Sequence, residues 1–189
     1  MDLRNYFSET NANMRRVLRH LTARRRSAEP VIGPLNVFSM VVLSPLVEID
    51  GSVFLEMCVP AGFVDEKFIP NEWLVNRSCW EQAYNRVELG QGIAARHSGP
   101  ELVEHGIAIA ELICLKLRAN FPRRRFRLHV SWNAKPLFES QRRYEQTRKC
   151  VVSFWQERRG EHVFAPLTEF KHDAIGELTV SLRRHDIVT

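Results

Sequence analysis

The sequence lacks the marks of a secreted, metal-binding or membrane-spanning protein. Its 189 residues include four cysteines that are far apart and form no CxxC pair, which argues against a zinc site of that type and against a disulfide framework. The polar N-terminus has no apolar run before a small-residue cleavage site, unlike a signal peptide. No stretch approaches the roughly eighteen apolar residues of a membrane-spanning helix. We therefore expect a cytoplasmic protein with reduced thiols and no transmembrane segment.

Motifs for common chemistries are also missing. The seven histidines form neither HxH nor HxxxH, so no set of metal ligands is indicated. The stretch LGQGIAAR has two glycines of a nucleotide-binding loop, but the third is absent and no strong strand precedes it. Gly90 and Gly92 are better explained as residues that break or end a helix. The sequence predicts no metal and no cofactor, and it leaves enzymatic activity open.

Charge, in contrast, is plentiful and clustered. The net charge is +5, yet residues 1–30 carry seven arginines against three acids, and residues 31–70 carry five acids against one lysine. Residues 121–149 carry nine bases against two acids. Blocks of opposite sign can produce a directional electrostatic field, whereas dispersed charge would mean only solubility.

The N-terminal segment predicts an amphipathic helix. Met14, Val17, Leu18 and Leu21 recur at helical spacing and form one apolar stripe, while arginines occupy the other faces. Pro30 and the following Gly-Pro pair would end this helix and form a linker. We predict a basic N-terminal helix or arm over residues 1–30 and a single α+β domain over residues 31–189.

The next segment predicts a hairpin. β-Branched and aromatic residues favour strands near 36–49 and 52–59, and Asp50-Gly51 between them is typical of a type I′ turn. Residues 60–98 give the weakest pattern, although Trp73, Trp80 and Tyr84 fit helical spacing. We expect a helix around these aromatic residues.

The clearest single element is a helix between Ser98 and Pro122. Ser98 suits a cap and Pro100 a first turn, and Lys116 and Arg118 suit the negative end of the helix dipole. Apolar residues cover most of its circumference, which is typical of a helix buried on more than one side. This helix is expected to form the centre of the core.

Strands are predicted for the C-terminal third. In FPRRRFRLHVSWN, residues 121–133, apolar residues at 126, 128, 130 and 132 alternate with Arg125, Arg127, His129 and Ser131, which indicates a half-buried strand. CVVSFWQ joined through ERRG to EHVFA predicts a second hairpin, and GELTVSL predicts a last strand. The order favours an α+β fold with an antiparallel or mixed sheet of about five strands, helices packed on one face and the amphipathic helix in front.

The basic segments define a candidate binding face. Arginine pairs with carboxylates and phosphates through two parallel hydrogen bonds, so we expect an interaction or regulatory module that recognises an acidic partner surface. The apolar stripe of the N-terminal helix would dock on that partner, on its own domain, or on a second copy in a homodimer. The candidate residues are Arg15, Arg16, Arg19, Arg24, Arg25, Arg26, Arg123, Arg124, Arg125, Arg127, Arg142, Arg143, Arg148 and Lys149.

Other interpretations stay open. The same arginines could bind nucleic-acid phosphates, with Tyr144 and Trp132 as nearby aromatic residues, although Trp132 shares its parity with the inward-facing residues. A small enzyme could use a thiol nucleophile at Cys58, activated by His129 or His97. The plainest interpretation is a solvated outer strand face whose arginines discourage sheet-to-sheet aggregation.

Overall fold

Five segments of the chain are described by the structure, a computed structural model: residues 7–25, 35–89, 99–133, 149–163 and 173–180. The helices in these segments are α1 (Ala12–Arg25), α2 (Leu35–Leu43), α3 (Arg77–Tyr84) and α4 (Gly99–Asn120). The strands are β1 (Glu9–Thr10), β2 (Leu46–Ile49), β3 (Ser52–Leu55), β4 (Arg86–Leu89), β5 (Phe126–Asn133), β6 (Lys149–Gln156) and β7 (Asp173–Val180).

The strands form two antiparallel sheets. The larger has the order β1-β7-β5-β6-β4, and the smaller is the β2-β3 hairpin. Strand β5 is central, with Leu128 opposite Phe154 of β6 on one side and Leu178 of β7 on the other. Helices α1 and α4 pack on the face that carries these apolar residues. The predicted α+β fold is confirmed.

Helix α4 lies close against the large sheet, as its apolar circumference predicts. Its residues Leu102, Ile109 and Ile113 are fully buried. A glycine at position 106 permits this approach, because a Cβ atom there would lie 2.5 Å from the Cys150 Sγ and 3.1 Å from the Val130 Cγ1. The absence of a side chain at Gly106 therefore allows α4 to lie this close to β5 and β6.

Helix α1 packs on its own domain. Met14, Val17, Leu18 and Leu21 are all buried in the core that they share with the sheet. The Asn11 side-chain oxygen accepts hydrogen bonds from the Met14 amide (2.9 Å) and the Ile175 amide (3.1 Å), so it caps α1 and ties it to β7. A homodimer through this helix stays a prediction and would have to use its exposed face. The domain boundary predicted near residue 30 lies outside the described residues.

The turn between β2 and β3 has the predicted geometry. Asp50 and Gly51 both have positive φ, 48° and 75°, and they join the paired residues Ile49 and Ser52. Positive φ at both central positions defines the type I′ turn, which an Asp-Gly pair adopts readily. This part of the hairpin prediction is confirmed.

The strand predicted over 36–49 is wrong in its first half, where the chain forms α2. Val37, Phe38 and Val41 share one helical face and pack on the core beside α4, which outweighs the strand preference of the β-branched residues. Two smaller predictions also fail. Trp73 precedes α3 rather than lying in it, and residues 161–163 are not in a strand. The remaining residues of EHVFA, 164 and 165, lie outside the described residues.

Helix α3 fastens the small sheet to the large one through a buried side-chain network. The Glu81 carboxylate accepts hydrogen bonds from the backbone amides of Val53 (2.7 Å) and Gln156 (2.6 Å), and it pairs with both terminal nitrogens of Arg158 at 2.8 and 2.9 Å. One turn later, the Asn85 side-chain oxygen accepts a hydrogen bond from the Leu55 amide. The Asn85 side-chain nitrogen donates to the Val53 and Phe154 carbonyls. We call Glu81, Asn85 and Arg158 the α3 clasp.

Candidate binding site on the open face of the sheet

The face of the large sheet opposite α1 and α4, here called the open face, carries a row of polar residues. Because side chains alternate along a strand, residues directly opposite one another on neighbouring strands share a face. A cavity of about 550 Å³ lies over the strands β5, β6 and β7 and is bounded by residues 157–163. The row consists of Glu9, Glu177, His129, Ser153 and Arg86.

A buried charged group occupies the middle of the open face. The His129 Nε2 lies 2.7 Å from one Glu177 carboxylate oxygen, and an Arg127 nitrogen lies 2.6 Å from the other. The His129 and Glu177 side chains are only 5% and 9% exposed, and the Trp155 ring meets the imidazole edge-on. Burial alone would raise the pKa of Glu177, but the hydrogen bonds and charges of His129 and Arg127 outweigh it and lower that pKa.

Four arginines gather at one end of the cavity. Arg125 and Arg127 come from the start of β5, and Arg158 and Arg159 follow the end of β6. The two segments are held together because the Glu157 amide donates a hydrogen bond to the Arg125 carbonyl at 2.9 Å. The folded chain thus joins arginines that are more than thirty residues apart in sequence.

The arginine and glutamate side chains that line the cavity differ in how exposed they are. The cavity lining contains four arginines and four glutamates, so its total charge, histidines apart, is balanced. Arg159 is exposed and the Arg125 side chain is 62% exposed, whereas the Glu157 and Glu177 side chains are 29% and 9% exposed. Glu161 is half-buried and Glu9 is the exposed exception. The mouth beside Arg125 and Arg159 is therefore cationic, and most of the compensating carboxylates lie beneath it.

The predicted basic residues that the structure describes in and after the β5 segment differ in their surroundings. Arg125 and Arg127 line the cavity, and Arg123 is exposed on the turn before them. Arg124 pairs with Glu48 at 2.7 Å, and Lys149 pairs with Glu88 at 3.0 Å, both away from the cavity lining.

Three arginines of α1 whose side chains the structure describes are not part of this cavity. Arg15, Arg16 and Arg19 are exposed on the helix and none lines the cavity. Arg24 and Arg25 end the helix. Arg26, Arg142, Arg143 and Arg148 lie outside the described residues.

Sequence reasoning missed several residues of this site. The sequence pattern assigns Arg158 and Arg159 to a hairpin loop and Glu177 to a strand, and it gives none of them a functional role. His129 was placed correctly on the outer face, but the structure buries it at 4% exposure. Strand alternation could have placed Glu177 on a face, but only the register of β7 with β5 shows that it faces His129.

The cysteine hypothesis gains no support from the geometry. Cys58 is half-buried, its Sγ lies 3.7 Å from the Arg86 carbonyl oxygen, and burial raises the pKa of the thiol to about 11. Of the two suggested bases, His129 is bonded to Glu177, and His97 lies outside the described residues. Burial also raises the pKa of Cys114 and Cys150, each to about 12. All three thiols are therefore protonated near neutral pH.

Alkylation kinetics test this directly. Because the pKa of Cys58 is raised from 9.0 to about 11, its thiolate fraction at neutral pH falls about a hundredfold. We expect iodoacetamide to label Cys58 in the folded protein at least that much more slowly than in urea, as followed by mass spectrometry of its peptide. Labelling of Cys58 in the folded protein faster than in urea would contradict this and revive the thiol nucleophile.

The aromatic residues near the arginines are not arranged for stacking on nucleic-acid bases. Trp155 is 5% exposed and Trp132 packs against the main core, so in the described part of the chain neither indole face is open to a base. Tyr144 lies outside the described residues. Within the described segments, no group of three or more histidine, cysteine or acidic side chains is placed to hold a metal ion.

Two further results bear on the class of protein. Among the described helices, none combines the length and apolar content needed to cross a bilayer. No protein-family model, no curated protein and no solved structure gives a significant match to this chain.

Proposed function

We propose that this protein is an interaction module that recognises an acidic surface of a partner protein through three exposed arginines. We call Arg123, Arg125 and Arg159 the arginine rim. The observation that supports the proposal is the backbone hydrogen bond of Glu157 to Arg125, which joins Arg125 to the segment of Arg159 at the cavity, while Arg123 is exposed on the turn just before Arg125. Arginine in such positions offers paired donors to partner carboxylates.

The buried carboxylates make this surface better suited to recognition. Glu157 accepts a hydrogen bond from Arg127 at 3.1 Å, which orients that side chain, and it forms an ion pair with the more exposed Arg125 at 3.2 Å. A fixed guanidinium loses less side-chain freedom when it meets a partner than a mobile one does. The exposed cations would also steer an acidic partner during encounter, which makes association dependent on salt.

Charge reversal at the rim tests the proposal. We expect the R125E/R159E variant to bind a fluorescein-labelled oligoglutamate peptide at least tenfold more weakly than the unaltered protein in anisotropy titrations at low salt. The matched control is R16E/R19E, which changes net charge by the same amount on the exposed face of α1. Repeated at about 0.1 M salt, where screening confines the effect of a surface charge to about 10 Å, the control titration should give binding within about threefold of the unaltered protein.

The same titrations separate the alternatives. An equal loss of binding in both variants would show that only net charge matters and would overturn the assignment to the rim. Tighter binding of single- or double-stranded oligonucleotides than of oligoglutamate, with a steep salt dependence, would favour nucleic-acid recognition instead.

A further inference from the structure

A second cavity differs from the first in chemistry and in lining. It measures about 440 Å³, within the range of about 300–1,000 Å³ typical of ligand pockets, and it shares no lining residue with the cavity on the open face. Six of its eleven lining residues are aromatic or large aliphatic, although polar atoms form slightly more of the accessible wall than apolar atoms do. We call this site the aromatic groove and define it by Phe63, Phe68, Leu74, Trp80 and Tyr84.

The walls of the aromatic groove consist of rings that pack on one another. The ring centroids of Phe63 and Tyr84 are 4.7 Å apart, and those of Phe68 and Trp80 are 5.5 Å apart. Phe54 from β3, fully buried, packs edge-on against the Phe63 and Trp80 rings. Packing between rings of this kind stabilises the arrangement of the groove walls, and a preformed wall lowers the ordering cost of binding.

Large apolar side chains stand exposed in the loop that forms the groove. Trp73 is 82% exposed, Ile69 is 76% exposed, and Val64 and Val75 are both more than half exposed. Ile69 itself lines the groove. A protein that exposes several large apolar residues in one short segment commonly uses them to contact a partner, and tryptophan is enriched at the centres of interfaces.

Specific hydrogen bonds hold this loop in its conformation. The Asn71 side-chain oxygen accepts from the amides of Trp73 (2.9 Å) and Leu74 (2.8 Å). The Phe68 amide donates to the Asp50 carboxylate at 3.0 Å, and Arg77 pairs with the same carboxylate at 2.6 Å. The display of Ile69 and Trp73 is thus built into the fold.

The loop is acidic although the protein is basic overall. Residues 60–76 contain three carboxylates, Asp65, Glu66 and Glu72, against the single cation Lys67, and all four are exposed. The whole chain carries a net charge of +5. The exposed carboxylates of this loop favour a cationic ligand here over an anionic one, although Lys67 lies in the lining and the Arg77 guanidinium lies over the Phe68 ring.

We propose that the aromatic groove binds a cationic segment of a partner protein, which inserts one bulky apolar side chain beside Phe63, Phe68 and Trp80. The apolar side chain gains burial against the ring walls and against Ile69 and Trp73. The basic residues that flank it contact Glu66 and Glu72. This site is separate from the arginine rim and has the opposite charge.

A pair of synthetic peptides tests the proposal. We expect a fluorescein-labelled amphipathic peptide of leucine and lysine to bind the full chain, and a matched peptide of leucine and glutamate to bind at least tenfold more weakly. The I69S/W73A variant should bind the lysine peptide at least tenfold more weakly. Because both altered side chains are exposed, the fold should be retained, which circular dichroism would check.

Two control variants separate this site from other surfaces. L43A removes a side chain that is 80% exposed on α2 and should leave lysine-peptide binding unchanged. R125E/R159E alters the arginine rim and should not weaken it. Equal binding of both peptides, unchanged binding by I69S/W73A, or no binding of the lysine peptide by the unaltered protein would each overturn the proposal.

Discussion

Replacing Glu81 with alanine is expected to lower the free energy of unfolding by about 3–5 kcal/mol, measured by urea denaturation at neutral pH. The Glu81 side chain is completely buried and its partner Arg158 is 16% exposed. Removal of the carboxylate leaves the guanidinium without its main counter-charge. It also leaves the amides of Val53 and Gln156 without acceptors, and each unsatisfied buried amide costs about 1–3 kcal/mol.

The effect should be specific to the α3 clasp. Glu88 is the matched control, because it is another glutamate with two cationic neighbours, Arg86 at 3.4 Å and Lys149 at 3.0 Å, but its side chain is 43% exposed. We expect E88A to change stability by no more than about 1 kcal/mol. A loss below about 1 kcal/mol for E81A would mean that the hairpin and the large sheet are held together by packing and by the Asn85 hydrogen bonds, with little contribution from Glu81.

Replacing Glu177 with glutamine is expected to cost about 1.5–3 kcal/mol at neutral pH, the usual contribution of a hydrogen bond to a charged group. The cost should vanish in acid. Because the folded protein lowers the pKa of Glu177 below the ordinary 4.5, the carboxylate contributes fully above that value. Its contribution is lost as pH falls through the folded pKa. The unfolding free energies of the variant and the unaltered protein should therefore converge below pH 4.5.

Glu9 provides the control for this second variant. It lies directly opposite Glu177 on β1, but it is exposed, so E9Q should leave the stability at neutral pH nearly unchanged. An E177Q variant that is as stable as the unaltered protein at neutral pH would contradict the prediction. It would show that the bonds of the Glu177 carboxylate to His129 and Arg127 add nothing to the free energy of unfolding.

Helices and strands with a strong apolar periodicity could be predicted from the sequence. An element whose secondary structure depends on packing against distant parts of the chain could not. The long apolar run of α4 and the alternation of β5 each fit one kind of structure. The sequence LNVFSMVVL favours a strand by composition, but it forms α2 because α4 offers a surface for a helical face with Val37, Phe38 and Val41. That choice depends on contacts distant in sequence.

The same limit applies to the open face. The alternation of β5 predicts that Arg127 and His129 share the outer face, and the structure bears this out. The partner Glu177 is 48 residues from His129, and only the β5–β7 register brings them together. Arg158 and Arg159 reach the site through the backbone contact of Glu157 with Arg125. The face of a strand on which a residue lies can be predicted from the local sequence. The residues that it contacts can be identified only once the order and register of the strands are known.

Helix α2 has a consequence for how the protein behaves in concentrated solution. Its nine residues contain no charge and no proline, and Met40, Val42 and Leu43 remain exposed even while Lys116 donates a 2.6 Å hydrogen bond to the Val42 carbonyl. If that attachment opens, the segment has the composition of peptides that stack into intermolecular β-structure. We then expect solubility on warming to depend on whether this helix stays packed on the domain. A lysine substituted at an exposed α2 position should oppose aggregation, because it places a charge within the apolar segment.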